Sequence, residues 1–435
     1  MNSPVPCPVI GFAGMTHLGL VSASAVAAKG FLTVCFDRDP ALIDRIRAGQ
    51  LPVLEPELDA LVATNGERQR FTADPAALGR CDVVYIAADV PTDDTGGSDL
   101  TGIRDLIDLV VAAMRSDAVL VVLCQVPPGF TRGLTVLPSE RLYYQVETLV
   151  FGRAVERAML PERTIVGCAD PARPLEARFQ SLLAAFGCPI LPIRYESAEL
   201  AKISINMCLV ATIAVANTMA ELCEHIGAVW GEIVPALKLD KRIGAHSYLA
   251  PGLGIAGGNL ERDLATVLRL SERHHTDAGV VAAWIANSRH RRDWAARTIR
   301  SVLLDTRPQA TVAVLGLAYK ENTHSIKNSP SLATLVQLPA ATRLRVHDPA
   351  VAATAVDHPQ VTGCADPLAA AQGAEALMIL TPWPLYCGLV PADLAAAMTG
   401  RIVLDPYGVL DGRAAIAAGL EYYTLGRPPM TAVDA

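Results

Sequence analysis

The ten cysteines of this chain are scattered, and no two stand as a Cys-x-x-Cys pair. In a polypeptide of 435 residues that argues against a disulfide framework or a zinc knuckle, and no metal site is expected. A reducing cytosol is the expected compartment. Positive charge is also short: the formal net charge is -7, which gives no reason to expect nucleic acid or an anionic membrane as a partner. No basic segment precedes the first apolar run, so no signal peptide is expected. No 18-residue apolar span is expected either. Apolar mass is not lacking. Hydrophobic residues make up 51% and charged residues 19%, as in a globular chain long enough for two or three domains.

Short runs rich in Val and Ile alternate with Ala/Leu-rich helical stretches over the first part of the chain. Residues 8–13, 31–37, 82–88 and 118–126 read as strands. Strand–helix alternation implies a parallel, doubly wound sheet. From 196 to 228 neither Gly nor Pro interrupts the pattern until Gly227, so one long helix is expected. An apolar helix of that length needs partners on several sides; it is expected to join domains and to form a homodimer contact. Strand signals return at 311–319, 343–349, 376–382 and 401–406. The expected fold is α/β, with two Rossmann-like doubly wound domains joined by a long central helix. The expected domains are 1–195 for a dinucleotide, 196–300 for dimerisation and substrate, and 301–435 for a nucleotide sugar.

The first strand runs into a Gly-Met-Thr-His-Leu-Gly turn, residues 14–19. It has the outline of a dinucleotide loop. One glycine makes the tight turn, a second lets backbone approach the pyrophosphate, and a third lets helix and strand pack closely. The middle glycine is replaced by Thr16, which crowds the position while offering a hydroxyl to a phosphate. Asp37 ends the second strand, where an acid holds the ribose hydroxyls and repels a 2′-phosphate. NAD, rather than NADP, is the expected cofactor, against Gly14, Thr16, His17, Leu18, Gly19 and Asp37.

Further motifs follow in order: LEPEL (54–58), VPTDDTGGSDL (90–100), QVPPGFTRG (125–133), the segment 146–167, SAELAKISIN (197–206), RIGAHSYLAPGLGIAGGNLERD (242–263), VAVLGLAYKENTHSIKNSP (312–330) and ILTPWP (379–384). Together they resemble the UDP-glucose/GDP-mannose dehydrogenase family over nearly the whole chain. The resemblance implies NAD-dependent oxidation of a nucleotide-sugar alcohol to a carboxylate in two hydride transfers, through a thioester on an active-site cysteine. It adds Pro91, Thr92 and Gln125 to the cofactor contacts. It makes Lys202, Asn206, Glu147 and Asp263 catalytic, and Arg242, Tyr248, Gly254, Gly257, Gly258, Lys320 and Tyr407 substrate contacts.

The family's cysteine lies in a loop written GFGGSCFPKD. The matching position here is Asn259. A carboxamide nitrogen has a delocalised lone pair and forms no thioester, whereas a thiolate is a strong nucleophile near neutral pH. Cys208 and Cys223 fall on the long helix, away from the loop, and read as buried structural thiols. Gln125 stands where relatives carry a hydroxyl that organises water, and Tyr407 where they carry a substrate-reaching arginine. The expected activity is therefore oxidation by two electrons to an aldehyde or ketone. Three alternatives stay open: a redox-neutral epimerase that keeps its NAD, a carboxylate-forming enzyme that oxidises the aldehyde hydrate, and an inactive nucleotide-binding partner protein.

Overall fold

The computed structural model describes residues 7–91, 93, 97–256 and 258–431. Thr92 and Gly257, both expected at the site, lie outside the described residues. The chain divides into two compact units, Met1–Ile205 and Asn206–Ala435.

The first unit is built on eight strands: β1 (Ile10–Ala13), β2 (Thr33–Phe36), β3 (Gln69–Thr72), β4 (Val83–Ile86), β5 (Val119–Val122), β6 (Leu142–Gln145), β7 (Thr164–Cys168) and β8 (Ile190–Arg194). Their order is β3-β2-β1-β4-β5-β6-β7-β8. Neighbours are parallel except β6 and β7, which are antiparallel. Strands β1, β2, β4 and β5 are buried at every position. That is why each reads as an unbroken apolar run: helices cover both faces of such a sheet. Phe12 of β1 stacks on Tyr85 of β4 with ring centroids 4.8 Å apart. The fourth expected strand, 118–126, ends sooner, because the amides of Leu123 and Cys124 both turn to the carbonyl of Ile86, at 3.0 and 3.2 Å.

The second unit holds β9 (Thr311–Leu315), β10 (Arg343–His347), β11 (Val361–Gly363), β12 (Ala376–Ile379), β13 (Ile402–Leu404) and β14 (Glu421–Tyr423). The order β11-β10-β9-β12-β13-β14 is all parallel and reverses direction at β9, the doubly wound pattern.

Three helices carry residues expected at the site: α1 (His17–Ala28) in the first unit, α2 (Tyr195–Ile226), and α3 (Asn259–His274) in the second. At 32 residues α2 is about 48 Å long. It corrects the expectation of no 18-residue apolar span, for it contains such a window with mean hydropathy 1.7. The cause is a stretch of Ala, Ile, Val, Leu and Met with few charges. By length and composition alone it could cross a membrane, but the core helix of a soluble protein passes the same test.

Candidate functional site

The cofactor turn follows β1 directly. A Cβ added at Gly19 would lie 1.8 Å from the Gly14 carbonyl oxygen, so only glycine lets α1 start this close to the strand. Gly14 itself has φ of +101°, in the left-handed region. Its amide donates to the Phe36 carbonyl at 2.8 Å. The Asp37 carboxylate at the end of β2 accepts from the Met15 amide at 2.7 Å, which ties it to the turn. The amides that open α1 face the seat of a pyrophosphate, and the residues present fit a dinucleotide. The His17 side chain is engaged within the protein. It is buried, with its ring 4.0 Å from that of Phe151 between centroids and its Nε2 3.0 Å from Glu55. Leu18 is buried, Gln125 half-buried and Pro91 exposed.

Glu55 lies within the LEPEL motif, where the sequence reading gave it no role. Its carboxylate is buried and accepts from the amides of Gly152 and Ala154, at 3.0 and 2.7 Å, as well as bonding His17. It thus ties the start of α1 to the segment after β6, which contains Glu147. Glu199 on α2 is another such residue. Fully buried, it accepts from the amides of Gly129 at 2.6 Å and Thr131 at 2.8 Å. The signal for both was an isolated acid among apolar or turn residues.

Also in the first unit, Lys202 Nζ of α2 lies 3.4 Å from Glu147 Oε2, with the side chains 13% and 18% exposed. Glu147 is held in turn by the amide of Leu149. In the second unit, Asn206 of α2 donates from Nδ2 to Asp263 Oδ2 at 2.5 Å. Asp263 is 1% exposed, and the Arg262 Nε lies 3.7 Å from its other oxygen. Lys202 and Asn206 are one helical turn apart on α2.

The loop 251–258 belongs to the second unit. The Gly252 amide donates to Asn217 of α2 at 2.9 Å, and the Ile255 amide to the Ser288 hydroxyl at 2.8 Å. A Cβ at Gly254 would meet the Ser288 carbonyl oxygen at 2.4 Å. Gly258, with φ of +91°, caps α3, and Asn259 is its first residue and exposed. Glu261, two residues on, accepts from Asn328, and burial pushes its carboxyl up. Tyr407 reaches the same loop: its ring passes beside Gly252, and its hydroxyl is within hydrogen-bonding reach of the Leu253 backbone. Burial pushes its phenol far above the usual range.

Arg242 is exposed and paired to Asp240 at 2.6 Å, Tyr248 is exposed, and the Lys320 ammonium lies 5.7 Å from the Tyr319 ring centre. Cys223 is buried as expected, but Cys208 is exposed. The expectation of a buried Cys208 fails because its face of α2 is left uncovered by the single chain. Among the described residues no group of three His, Cys, Asp or Glu is placed to hold a metal ion.

Comparison with known proteins bears on these features together. Residues 9–186 match the NAD binding domain of the UDP-glucose/GDP-mannose dehydrogenase family, 196–289 its central domain and 313–412 its UDP binding domain. Helix α2 thus opens the central domain. The UDP-glucose 6-dehydrogenase TuaD of Bacillus subtilis is 28% identical, over 98% of this chain and 94% of its own. That of Rhizobium meliloti is 29% identical, over 95% and 98%. The solved UDP-glucose dehydrogenase of Pyrobaculum islandicum superposes with a TM-score of 0.82 at 27% identity, covering 95% of this chain and all of that one. The chain belongs to the UDP-glucose/GDP-mannose dehydrogenase family of NAD-dependent nucleotide-sugar oxidoreductases.

Proposed function

We propose that the protein oxidises an alcohol of a UDP-sugar-like nucleotide by two electrons and releases the carbonyl product without an enzyme-bound acyl sulfur. The observation that carries this reading is Asn259 at the first position of α3, where the resemblance places the family's nucleophilic cysteine. An amide there binds a substrate hydroxyl or carbonyl, having both donors and an acceptor, but holds no covalent intermediate.

The remaining groups suit the alcohol step. Lys202 takes the hydroxyl proton, and Glu147 beside it stabilises the ammonium that results. Asn206 spends its amide hydrogen on Asp263, which leaves its carbonyl oxygen to accept from the substrate hydroxyl. NAD, when bound, supplies the hydride acceptor, with Gly14, Gly19 and Asp37 shaping its seat. The loop 251–258 lays backbone against the sugar, and Tyr407 in place of an arginine changes which sugar or phosphate group is met there. The apolar residues that α2 leaves exposed, including Val215, Met219 and Leu222, form the homodimer contact.

The decisive measurement is NADH formed per nucleotide sugar consumed. One equivalent is expected. Two equivalents would overturn the reading in favour of oxidation through the hydrate. Interconversion of sugars without net NADH would make the enzyme redox-neutral, and NAD binding with no turnover across a panel of nucleotide sugars would make it an inactive partner protein.

A further inference from the structure

Two segments far apart in the sequence close on the first residue of α1. The His17 ring lies 4.0 Å from the Phe151 ring between centroids, inclined by 23°, and its Nε2 is 3.0 Å from Glu55 Oε2. The same oxygen accepts from the Gly152 amide at 3.0 Å, and Glu55 Oε1 accepts from the Ala154 amide at 2.7 Å. The Glu55 side chain is wholly buried, so these donors take the place of water around its charge. Apolar packing runs alongside. Leu149, whose amide holds the Glu147 carboxylate, packs on the small cluster that contains Leu20 and Val21 of α1 and Leu58.

A side chain meant only to fill this place needs no charge, since apolar groups of like volume fill such sites as well or better. The carboxylate is instead set between two working parts of the first unit. The first-turn amides of α1 are the donors that a dinucleotide pyrophosphate meets. The segment 147–154 carries Glu147, 3.4 Å from Lys202 Nζ.

We infer that Glu55 is a positioning residue of the oxidation site: it fastens the segment that carries Glu147 to the first turn of α1, so that seating NAD also sets the Lys202–Glu147 pair. This rests on the reading of that pair as the agent of the alcohol step. A pyrophosphate on the α1 amides restrains the turn, and His17 and Glu55 pass the restraint to the amides of Gly152 and Ala154. Coupling of this kind is reciprocal, so a change that loosens the segment also weakens NAD binding. Glu55→Gln breaks the clamp. Both carboxylate oxygens accept backbone amides, whereas glutamine offers one acceptor and turns its NH2 on the other N–H.

Amide hydrogen exchange of the full chain, with and without saturating NAD and with no sugar present, tests this on the peptide spanning residues 148–158. In wild type, NAD is expected to slow exchange there about tenfold. In Glu55→Gln, exchange is expected to be fast and insensitive to NAD, with NAD bound about fivefold more weakly. Its kcat should fall while KM for the nucleotide sugar holds, and the pH profile of kcat should shift, which an acid of purely structural role would not cause. Wild-type exchange indifferent to NAD would overturn the inference, as would NAD-linked slowing retained in Glu55→Gln. Loss of that slowing with kcat intact would uphold the coupling and sink only the role given to Lys202 and Glu147. Should Glu55→Gln fail to fold, His17→Phe keeps the stack on Phe151 and both amide bonds to Glu55. It is expected to lose the NAD-linked slowing, and retention there would overturn the inference.

Discussion

The Lys202 Nζ stands 3.4 Å from Glu147 Oε2, and the amide of Leu149 holds that carboxylate in place. A lysine so paired can trade a proton with a substrate hydroxyl while its counter-charge stays fixed. Lys202→Ala is expected to lower kcat for NADH formation by about 10²–10⁴-fold. Glu147→Gln should lower it less and move the pH profile, because the amide keeps the position and loses the charge. Unchanged kcat in Lys202→Ala would assign the pair to structure alone, read against thermal melts of both variants.

Asn206 and Asp263 pose a separable question, since Asp263 is buried. Asn206→Ala strands a buried carboxylate, and about 1–3 kcal/mol of stability should go with its partner. That is expected as a melting temperature lower by a few degrees, together with a fall in kcat. A melt unchanged within error would show that Arg262, 3.7 Å away, suffices as partner.

Asn259→Cys restores a thiol at the exposed first position of α3. Incubation with NAD and substrate should then yield a covalent adduct, visible as added mass on the peptide containing residue 259, while wild type shows none. An adduct on the wild-type chain would refute oxidation without acyl sulfur.

Burial pushes the thiols of Cys35, Cys81 and Cys124 up to about 12. At about pH 8 only about one in ten thousand of each is thiolate. Native protein treated with iodoacetamide should carry label on Cys387 and not on these three, with all labelled after unfolding. Fast labelling of Cys124 in the native state would contradict the packing around β5.

Val215, Met219 and Leu222 are 53%, 40% and 47% exposed on α2. If they form the proposed homodimer contact, the chain runs as a dimer in light scattering and Leu222→Glu, which places a charge among them, runs as a monomer. An unchanged mass would move the contact elsewhere.

Much of this molecule was legible in its sequence where burial is uniform. β1, β2, β4 and β5 announce themselves because both faces of each strand are covered, so nearly every residue is apolar. β3 and β8 do not, since Arg70 and Arg194 reach solvent and Pro192 sits inside β8. The cofactor turn was legible because its glycines are demanded by local geometry. Glu55 was not: its motif was visible, but its partners His17, Gly152 and Ala154 lie on two distant segments.

The fit of Gly19 against the Gly14 carbonyl leaves room for a hydrogen and nothing larger. One methyl group is therefore the smallest edit that closes the dinucleotide seat. The second unit, organised around its own core from Leu253 to Leu425, contains neither residue. Gly19→Ala in the intact chain would thus be a cofactor-blind reagent, in which recognition of the sugar nucleotide is weighed with the redox partner silenced.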